Sequence, residues 1–208
     1  LKKQSGNYFE TKLSYLIDFD KRNQKFQPSE GSRVKFSQGI PLISDEYALK
    51  NTVDSTKWLQ FGNDIVTSFS IYGSMVNSLN DENVRITDRV SLPRKKLRGF
   101  QRGKLGPVDA GDYVGGNYAA AINFSSTLPM IFPSVDAIDF AYFIDAGNVW
   151  GVDYSSSIDD SNKLRASTGV SVDWFTPIGP MSFSLAQDLS KATTDKTEGF
   201  QFNLGTTF

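Results

Sequence analysis

The sequence predicts an all-β protein, an antiparallel transmembrane β-barrel with about nine strands and one long inserted loop. Two observations predict this fold class. Apolar and polar side chains alternate with a period of two over most of the chain, as in strands with one apolar and one polar face. No run approaches the roughly 18 to 20 apolar residues that a membrane-spanning helix requires. A barrel needs no such run, because its apolar residues alternate with lumenal polar ones.

The strands follow one another along the chain. In the first two, the apolar positions are Phe9, Leu13, Tyr15, Ile17 and Phe19, then Val34, Phe36 and Ile40. Further strands are predicted at residues 46–61, 65–76, 115–128, 138–150, 163–174, 181–189 and 199–208. Turn sequences separate several of them: PSEG (28–31), FGND (61–64), TPIGP (176–180) and TTDKTEG (193–199). Consecutive strands joined in this way predict an antiparallel meander.

Residues 77–114 are the exception, because the segment is too long for a hairpin turn. A loop longer than about 12 to 15 residues in a β architecture is usually functional or disordered. This loop concentrates basic side chains in a chain whose formal charge is −1, namely Lys95, Lys96, Arg98, Arg102 and Lys104. A solvated basic loop and a functional one both fit these features.

Alternation alone fits a soluble barrel as well as a membrane barrel. The polar face favours a water-filled lumen, because it carries Asn117, Asn123, Asp145, Gly147, Ser167, Gly169 and Ser171. Large aromatic residues near strand ends resemble the aromatic girdles of membrane barrels: Tyr118, Trp150, Trp174, Phe175 and Phe208. In the strand at 163–174, we therefore expect Leu164, Val170, Val172 and Trp174 to face lipid, and Lys163, Arg165 and Asp173 to face the lumen.

Composition excludes several classes of function. The chain has no Cys and no His, which removes thiolate chemistry, disulfides, most zinc sites and the Ser-His-Asp arrangement. Carboxylates are the remaining candidates for catalysis, and the sequence places no pair of them together. We therefore expect no enzymatic activity, metal or cofactor. Nucleic-acid binding is disfavoured, because Phe100 is the one aromatic residue among the basic ones and the chain is slightly acidic.

Five motifs occur in order: LRGF (97–100), VGGN (114–117), FIDAGNVW (143–150), GVSVDWFTPIGPMSFSLAQ (169–187) and FQFNLGTTF (200–208). Together they resemble the C-terminal part of the BamA-type outer-membrane insertase family, which includes mitochondrial and chloroplast relatives. The resemblance implies that residues 1–208 form the C-terminal part of a sixteen-stranded barrel. It also implies a lumen-directed loop at about 77–114 and POTRA domains that lie outside this chain.

The resemblance also implies a site. The loop motif Leu97, Arg98, Gly99 and Phe100 is expected to fold into the lumen, where Arg98 meets Asp145 on the inner wall, beside Gly147. Family members carry a Glu on the preceding strand that also contacts the Arg. Here the matching position is read as Ser125, which leaves Arg98 with Asp145 alone, or with Asp139 or Asp173.

The implied function is insertion of nascent β-barrel proteins into a bacterial outer membrane through a weak seam at the last strand. The seam residues are Phe200 and Phe202, with a kink at Gly205 and a C-terminal recognition signal at Phe208. The implied partners are nascent barrels, outer-membrane lipids and accessory lipoproteins bound through the N-terminal domains, but no nucleic acid. The alternatives are a passive porin or adhesin, a TamA or two-partner-secretion transporter, and a soluble lipocalin-type binder.

Overall fold

The computed structural model describes residues 6–62, 65–80, 82–128, 138–158, 162–177 and 179–204. Its main feature is an antiparallel sheet of nine strands, which confirms the predicted all-β fold class. Two single-turn 3₁₀ helices, Arg94–Lys96 and Ser156–Ile158, are the helical elements of the described chain. None of the described helices has the length and apolar character needed to cross a membrane.

The nine strands of the sheet are β1 (Glu10–Asp20), β2 (Gly31–Ser44), β3 (Ala48–Phe61), β4 (Ile65–Ser78), β7 (Tyr118–Thr127), β8 (Ile138–Trp150), β9 (Arg165–Thr176), β10 (Gly179–Ser190) and β11 (Phe200–Leu204). A small hairpin of β5 (Val108–Asp109) and β6 (Asp112–Tyr113) lies in the connection between β4 and β7. The strand order in the sheet is β1-β2-β3-β4-β7-β8-β9-β10-β11, so each strand pairs with its neighbours along the chain. The two edges of the sheet are β1 and β11.

The long connection, residues 79–117, begins two residues later and ends three residues later than predicted. At its end, Gly116 forms a bridge with Val90 and the N–H of Asn117 donates to the carbonyl of Gly151 (2.7 Å), so these residues precede β7. The last strand is described as far as Leu204. Gly205 and Phe208 lie outside the described residues.

The two faces of the sheet differ as the alternation predicts. In β9, Val170 and Trp174 are 44% and 43% exposed, whereas Arg165, Ser167 and Ser171 are buried on the opposite face. The outer face carries large exposed apolar side chains along the sheet, among them Leu13, Ile17, Phe69, Ile71, Ile122, Phe124, Tyr142, Ile144 and Leu185. This apolar face is the surface that a membrane-embedded barrel presents to lipid.

One of the predicted girdle residues is placed differently. Phe175 follows Trp174 directly in β9, and the pairing with β10 has no bulge at these residues. Phe175 therefore belongs to the same set of alternate positions as the inward-facing residues. Its ring packs against Phe26 in the β1–β2 connection, with 5.3 Å between ring centroids. Adjacent aromatic residues on one strand cannot share a face, and Phe175 therefore does not extend the outer girdle of Trp174.

The long connection folds back against the inner face of the sheet and supplies half of the buried core. From the connection come Val84, Val90, Leu92, Leu97, Phe100 and Leu105, and from the strands Ala48, Tyr72, Val76, Ala119, Ala121 and Val149. Several of the wall residues are small, which gives the connection room to approach the backbone of β7 and β8. Burial of these apolar side chains is what orders a segment whose length would otherwise favour disorder.

Candidate functional site

Four polar side chains form a transverse row on the inner face of the sheet. Register places Ser70 of β4 opposite Asn123 of β7, Asn123 opposite Asp145 of β8, and Asp145 opposite Ser167 of β9. All four are buried, and Asp145 and Ser167 are fully so. We call these four residues the polar row. The loop segment Lys96–Arg98 crosses the strands directly above it.

Arg98 and Asp145 form a bidentate ion pair at the centre of the polar row. Nε of Arg98 lies 2.7 Å from Oδ2 of Asp145, and Nη2 lies 2.7 Å from Oδ1. The backbone N–H of Arg98 also donates to Oδ2 at 3.0 Å. A planar guanidinium matched to a carboxylate in this way gives the strongest and most directional ion pair available to side chains.

The residue of the preceding strand that contacts the ion pair is Asn123, and Asp145 is the acidic partner of Arg98. Nδ2 of Asn123 donates to Oδ1 of Asp145 and to the carbonyl of Lys96, each at 2.9 Å. Ser125 lies one step further along the same face of β7, opposite Phe143. Asp139 and Asp173, the other candidates for pairing with Arg98, are not its partner in this structure.

The Phe143 ring supports the guanidinium of Arg98. Cζ of Arg98 lies 3.5 Å from the ring centroid, and Phe143 is fully buried. A side chain at Gly169, which lies opposite Phe143, would come within 2.9 Å of the ring and 2.0 Å of the carbonyl of Leu185. Glycine at 169 therefore makes room for the ring, and the ring gives a cation–π contact on the inner face of the sheet. One feature of the sequence could have identified Phe143. It is an aromatic residue at a position that alternation assigns to the polar face, two residues before Asp145.

The other residues of the loop motif fix its path over the wall. Leu97 and Phe100 are 2% and 1% exposed. Gly99 has a φ of +88°, and a Cβ there would lie 3.0 Å from Cβ of Ala186. Oγ of Ser167 donates to the carbonyl of Arg98 at 2.5 Å. Arg98 is thus held on both sides by wall residues that belong to the polar row.

Gly147, predicted to lie beside Asp145, receives a different part of the loop. A side chain at this position would come within 3.0 Å of Cδ1 of Leu92 and 2.9 Å of the carbonyl of Ala120. The glycine therefore admits Leu92 against the wall rather than contacting Arg98.

Two of the basic residues that precede the motif have acidic partners. Nζ of Lys96 lies 2.5 Å from Oδ1 of Asp54 and 3.0 Å from Oγ of Ser70. Arg94 pairs with Glu198. Burial lowers the pKa of Lys95, and the nearby carboxylate of Asp173 opposes that shift. Lys96 and Arg98 therefore anchor the loop to the wall, whereas Arg94 ties it to the connection between β10 and β11.

The last strand begins at the site. Phe200 and Phe202 point outward, 56% and 42% exposed, and the ring of Phe202 packs against Phe183 with 5.0 Å between centroids. Between them Gln201 points inward, and its Nε2 donates to the carbonyl of Phe100 at 3.0 Å. Gln201 was not predicted as a site residue. Its position between two outward-facing aromatic residues could have identified it, because alternation places the side chain between them on the inner face.

The chain resembles known proteins over its whole length. The Omp85 superfamily domain matches residues 1–208. The outer membrane protein assembly factor BamA of Neisseria meningitidis serogroup B is 33% identical over 54% of this chain and 17% of the relative. BamA of Neorickettsia risticii is 25% identical over 100% of this chain and 29% of the relative. The human sorting and assembly machinery component 50 homolog is 28% identical over 74% of this chain and 34% of the relative.

A solved structure has the same fold. The crystal structure of BamA from Haemophilus ducreyi lacking POTRA domains 1–3 superposes with a TM-score of 0.85 and 25% identity, over 92% of this chain and 41% of that chain. The chain thus spans less than half the length of each of these proteins. Because the family domain covers every residue of the sequence, the chain belongs to the Omp85 superfamily.

Proposed function

We propose that this chain forms the C-terminal part of the barrel of an insertase, which folds and inserts β-barrel proteins into a bacterial outer membrane. The observation that carries the proposal is a contact between the docked loop and an edge strand. The loop segment anchored by Arg98 and Asp145 is hydrogen-bonded to the start of β11. The names of the relatives, which are assembly factors, support the same function.

The edge strand suggests how insertion is promoted. In the described sheet, β11 pairs with β10 on one side, from Phe200 opposite Leu185 to Leu204 opposite Met181, and it forms an edge of the sheet on the other. Unpaired backbone groups cost several kcal/mol each in hydrocarbon, so a strand entering the membrane needs a template. An edge strand provides one, because an incoming strand pairs with its open side by β-augmentation.

The proposed partners follow from this mechanism. Nascent outer-membrane barrels supply the incoming strand, outer-membrane lipids contact the apolar outer face, and accessory lipoproteins act through N-terminal domains outside this chain. The proposed activity uses no catalytic side chain and no cofactor, because the barrier is lowered by backbone pairing.

The test uses the full-length protein reconstituted in lipid vesicles. An unfolded outer-membrane barrel is added, and its folding is followed by the altered electrophoretic mobility of the folded, unheated form. We expect faster folding with the protein than with empty vesicles, and a loss of this acceleration in Arg98→Ala. The matched control is Lys191→Gln, which removes an exposed ion pair with Asp188.

Two outcomes would contradict the proposal. Ion conductance without accelerated folding would indicate a passive porin. Passage of a soluble polypeptide into the vesicles, with no gain in barrel folding, would indicate a secretion transporter.

A further inference from the structure

The connection between β10 and β11, residues 191–199, is anchored by a second ion pair. Nε of Arg165 lies 2.8 Å from Oδ2 of Asp195, Nη2 lies 2.9 Å from Oδ1, and both side chains are fully buried. Arg165 also donates to the side chain of Asn148 on β8. The N–H of Ala192 donates to Oδ2 of Asp195 at 2.7 Å. The Asp195 carboxylate therefore closes the connection on itself and binds it to β9, and Arg165 extends this contact to β8.

The same connection forms a short antiparallel ribbon with the inserted loop. The N–H of Gln101 donates to the carbonyl of Lys196 at 2.9 Å, and the N–H of Glu198 donates to the carbonyl of Gly99 at 2.8 Å. Phe100 and Thr197 are the bridged pair between these bonds. Arg94 and Glu198 add an ion pair at the edge of the ribbon.

The ribbon leads directly into β11. Gly199 accepts a hydrogen bond from the N–H of Ala186 at 2.8 Å, and Gln201 reaches the carbonyl of Phe100. One side of the ribbon is therefore tied to Asp145 through Arg98, and the other side is tied to Arg165 through Asp195. Both wall anchors of the ribbon on β9 lie on one face, since Arg165 and Ser167 are two residues apart.

We propose that Arg165 and Asp195 are positioning residues that hold the β10–β11 connection against the inserted loop, so that the loop motif and the start of the last strand move as one unit. The consequence for insertion rests on the function proposed above: the pair sets where the edge strand is presented. A buried ion pair suits this role, because removing one partner leaves a buried charge unpaired and the closed arrangement is then lost. Its geometry is also more specific than that of an apolar contact.

The primary test is hydrogen exchange measured by mass spectrometry on the full-length protein in lipid. In Asp195→Asn, which keeps the side-chain shape, we expect exchange to rise about ten-fold or more in residues 196–204 and also in residues 97–104, where no atom was changed. A role confined to the connection would affect residues 191–196 alone. That result would overturn the inference.

The matched control is Asp188→Asn, which removes the exposed pair with Lys191 in the same hairpin. It should leave exchange in both segments unchanged. Asp195→Glu retains a carboxylate and should restore part of the protection lost in Asp195→Asn.

A milder variant covers the case in which Asp195→Asn fails to fold. Glu198→Gln cuts the half-exposed pair with Arg94, and it should raise exchange in the same two segments to a smaller degree. If it loosens only one of them, the loop and the last strand do not move together and the inference is wrong.

The folding assay separates this inference from the proposed function. If the wild-type protein does not accelerate barrel folding, the proposed function fails, while the exchange data still decide whether the two segments are coupled. If the wild type accelerates folding and Asp195→Asn does so equally well, the positioning role fails and the proposed function stands.

Discussion

At the scale of single residues, Asp145 is the centre of the site because its buried carboxylate accepts four hydrogen bonds. It receives two bonds from the guanidinium of Arg98, one from the backbone of Arg98 and one from the amide of Asn123. A buried charge is stable only when it is paired and hydrogen-bonded in this way. Docking of the loop is therefore coupled to the ion pair of Arg98 with this carboxylate.

Arg98→Ala and Asp145→Ala should each weaken loop docking by about 3 to 5 kcal/mol, because each leaves the other charge buried and unpaired. The double mutant should cost much less than the sum, since it removes both charges. Hydrogen exchange in residues 97–104 and the rate of barrel folding measure the effect. Additive losses, or an Asp145→Ala protein that behaves as wild type, would show that Arg98 does not depend on this partner.

Asn123→Ala should weaken docking by about 1.5 to 3 kcal/mol, the usual worth of a hydrogen bond to a charged group. The matched control is Ser125→Ala, two residues along the same face of β7, which should change docking by less than about 0.5 kcal/mol. Exchange in residues 97–104 again gives the readout. A larger effect from Ser125 than from Asn123 would reverse the assignment made from the register.

The pairing of Arg98 with Asp145 followed from the motifs, whereas its neighbours did not. Choosing between Asn123 and Ser125 requires the register of β7 against β8, and both residues have the same parity. Phe143 was missed for a related reason. Alternation along β8 places Phe143 on the polar inner face, where a large ring is not expected. The approach of the Arg98 guanidinium and the space at Gly169 explain why a ring lies there.

At the scale of elements, the strands were predictable from local alternation, whereas the inward fold of the loop was expected only from the resemblance to a known family. Alternation defines a strand locally, so the nine strands of the sheet match the predicted segments closely. The loop has no local period, and its order comes from contacts with distant residues of β4, β7 and β8. At Gly99 the motif passes close over Ala186 of the wall.

Gly99→Ala should undock the motif, because the new Cβ meets both a positive φ and a neighbour at 3.0 Å. The matched control is Gly103→Ala, in the same loop, where φ is +67° but nothing lies within 4 Å of the added atom. Both variants carry the backbone strain of about 1 to 2 kcal/mol. Any further rise in exchange at residues 97–101 in Gly99→Ala measures the contact itself. Equal effects of the two variants would show that the wall contact at Gly99 contributes nothing.

At the scale of the whole molecule, one curved sheet separates two environments. Its outer face carries large exposed apolar side chains on most strands, and its inner face carries the polar row, the two buried ion pairs and the docked loop. The sheet ends in the edge strands β1 and β11. This distribution is stable only when the outer face contacts lipid, because so large an exposed apolar surface is not found on soluble monomers.

Nitroxide spin labels at positions 170 and 173 of the full-length protein in vesicles test this arrangement. Val170 lies on the apolar face of β9, and Asp173 lies three residues further, on the opposite face. Because successive side chains of a strand alternate between faces, we expect the label at 170 to be relaxed by oxygen dissolved in the bilayer and the label at 173 by a water-soluble nickel chelate. The reverse pattern would place charged residues in hydrocarbon, at a cost of about 2 to 4 kcal/mol for each Arg or Lys at the midplane. Equal access of the nickel chelate to both positions would show that this face of β9 does not contact lipid.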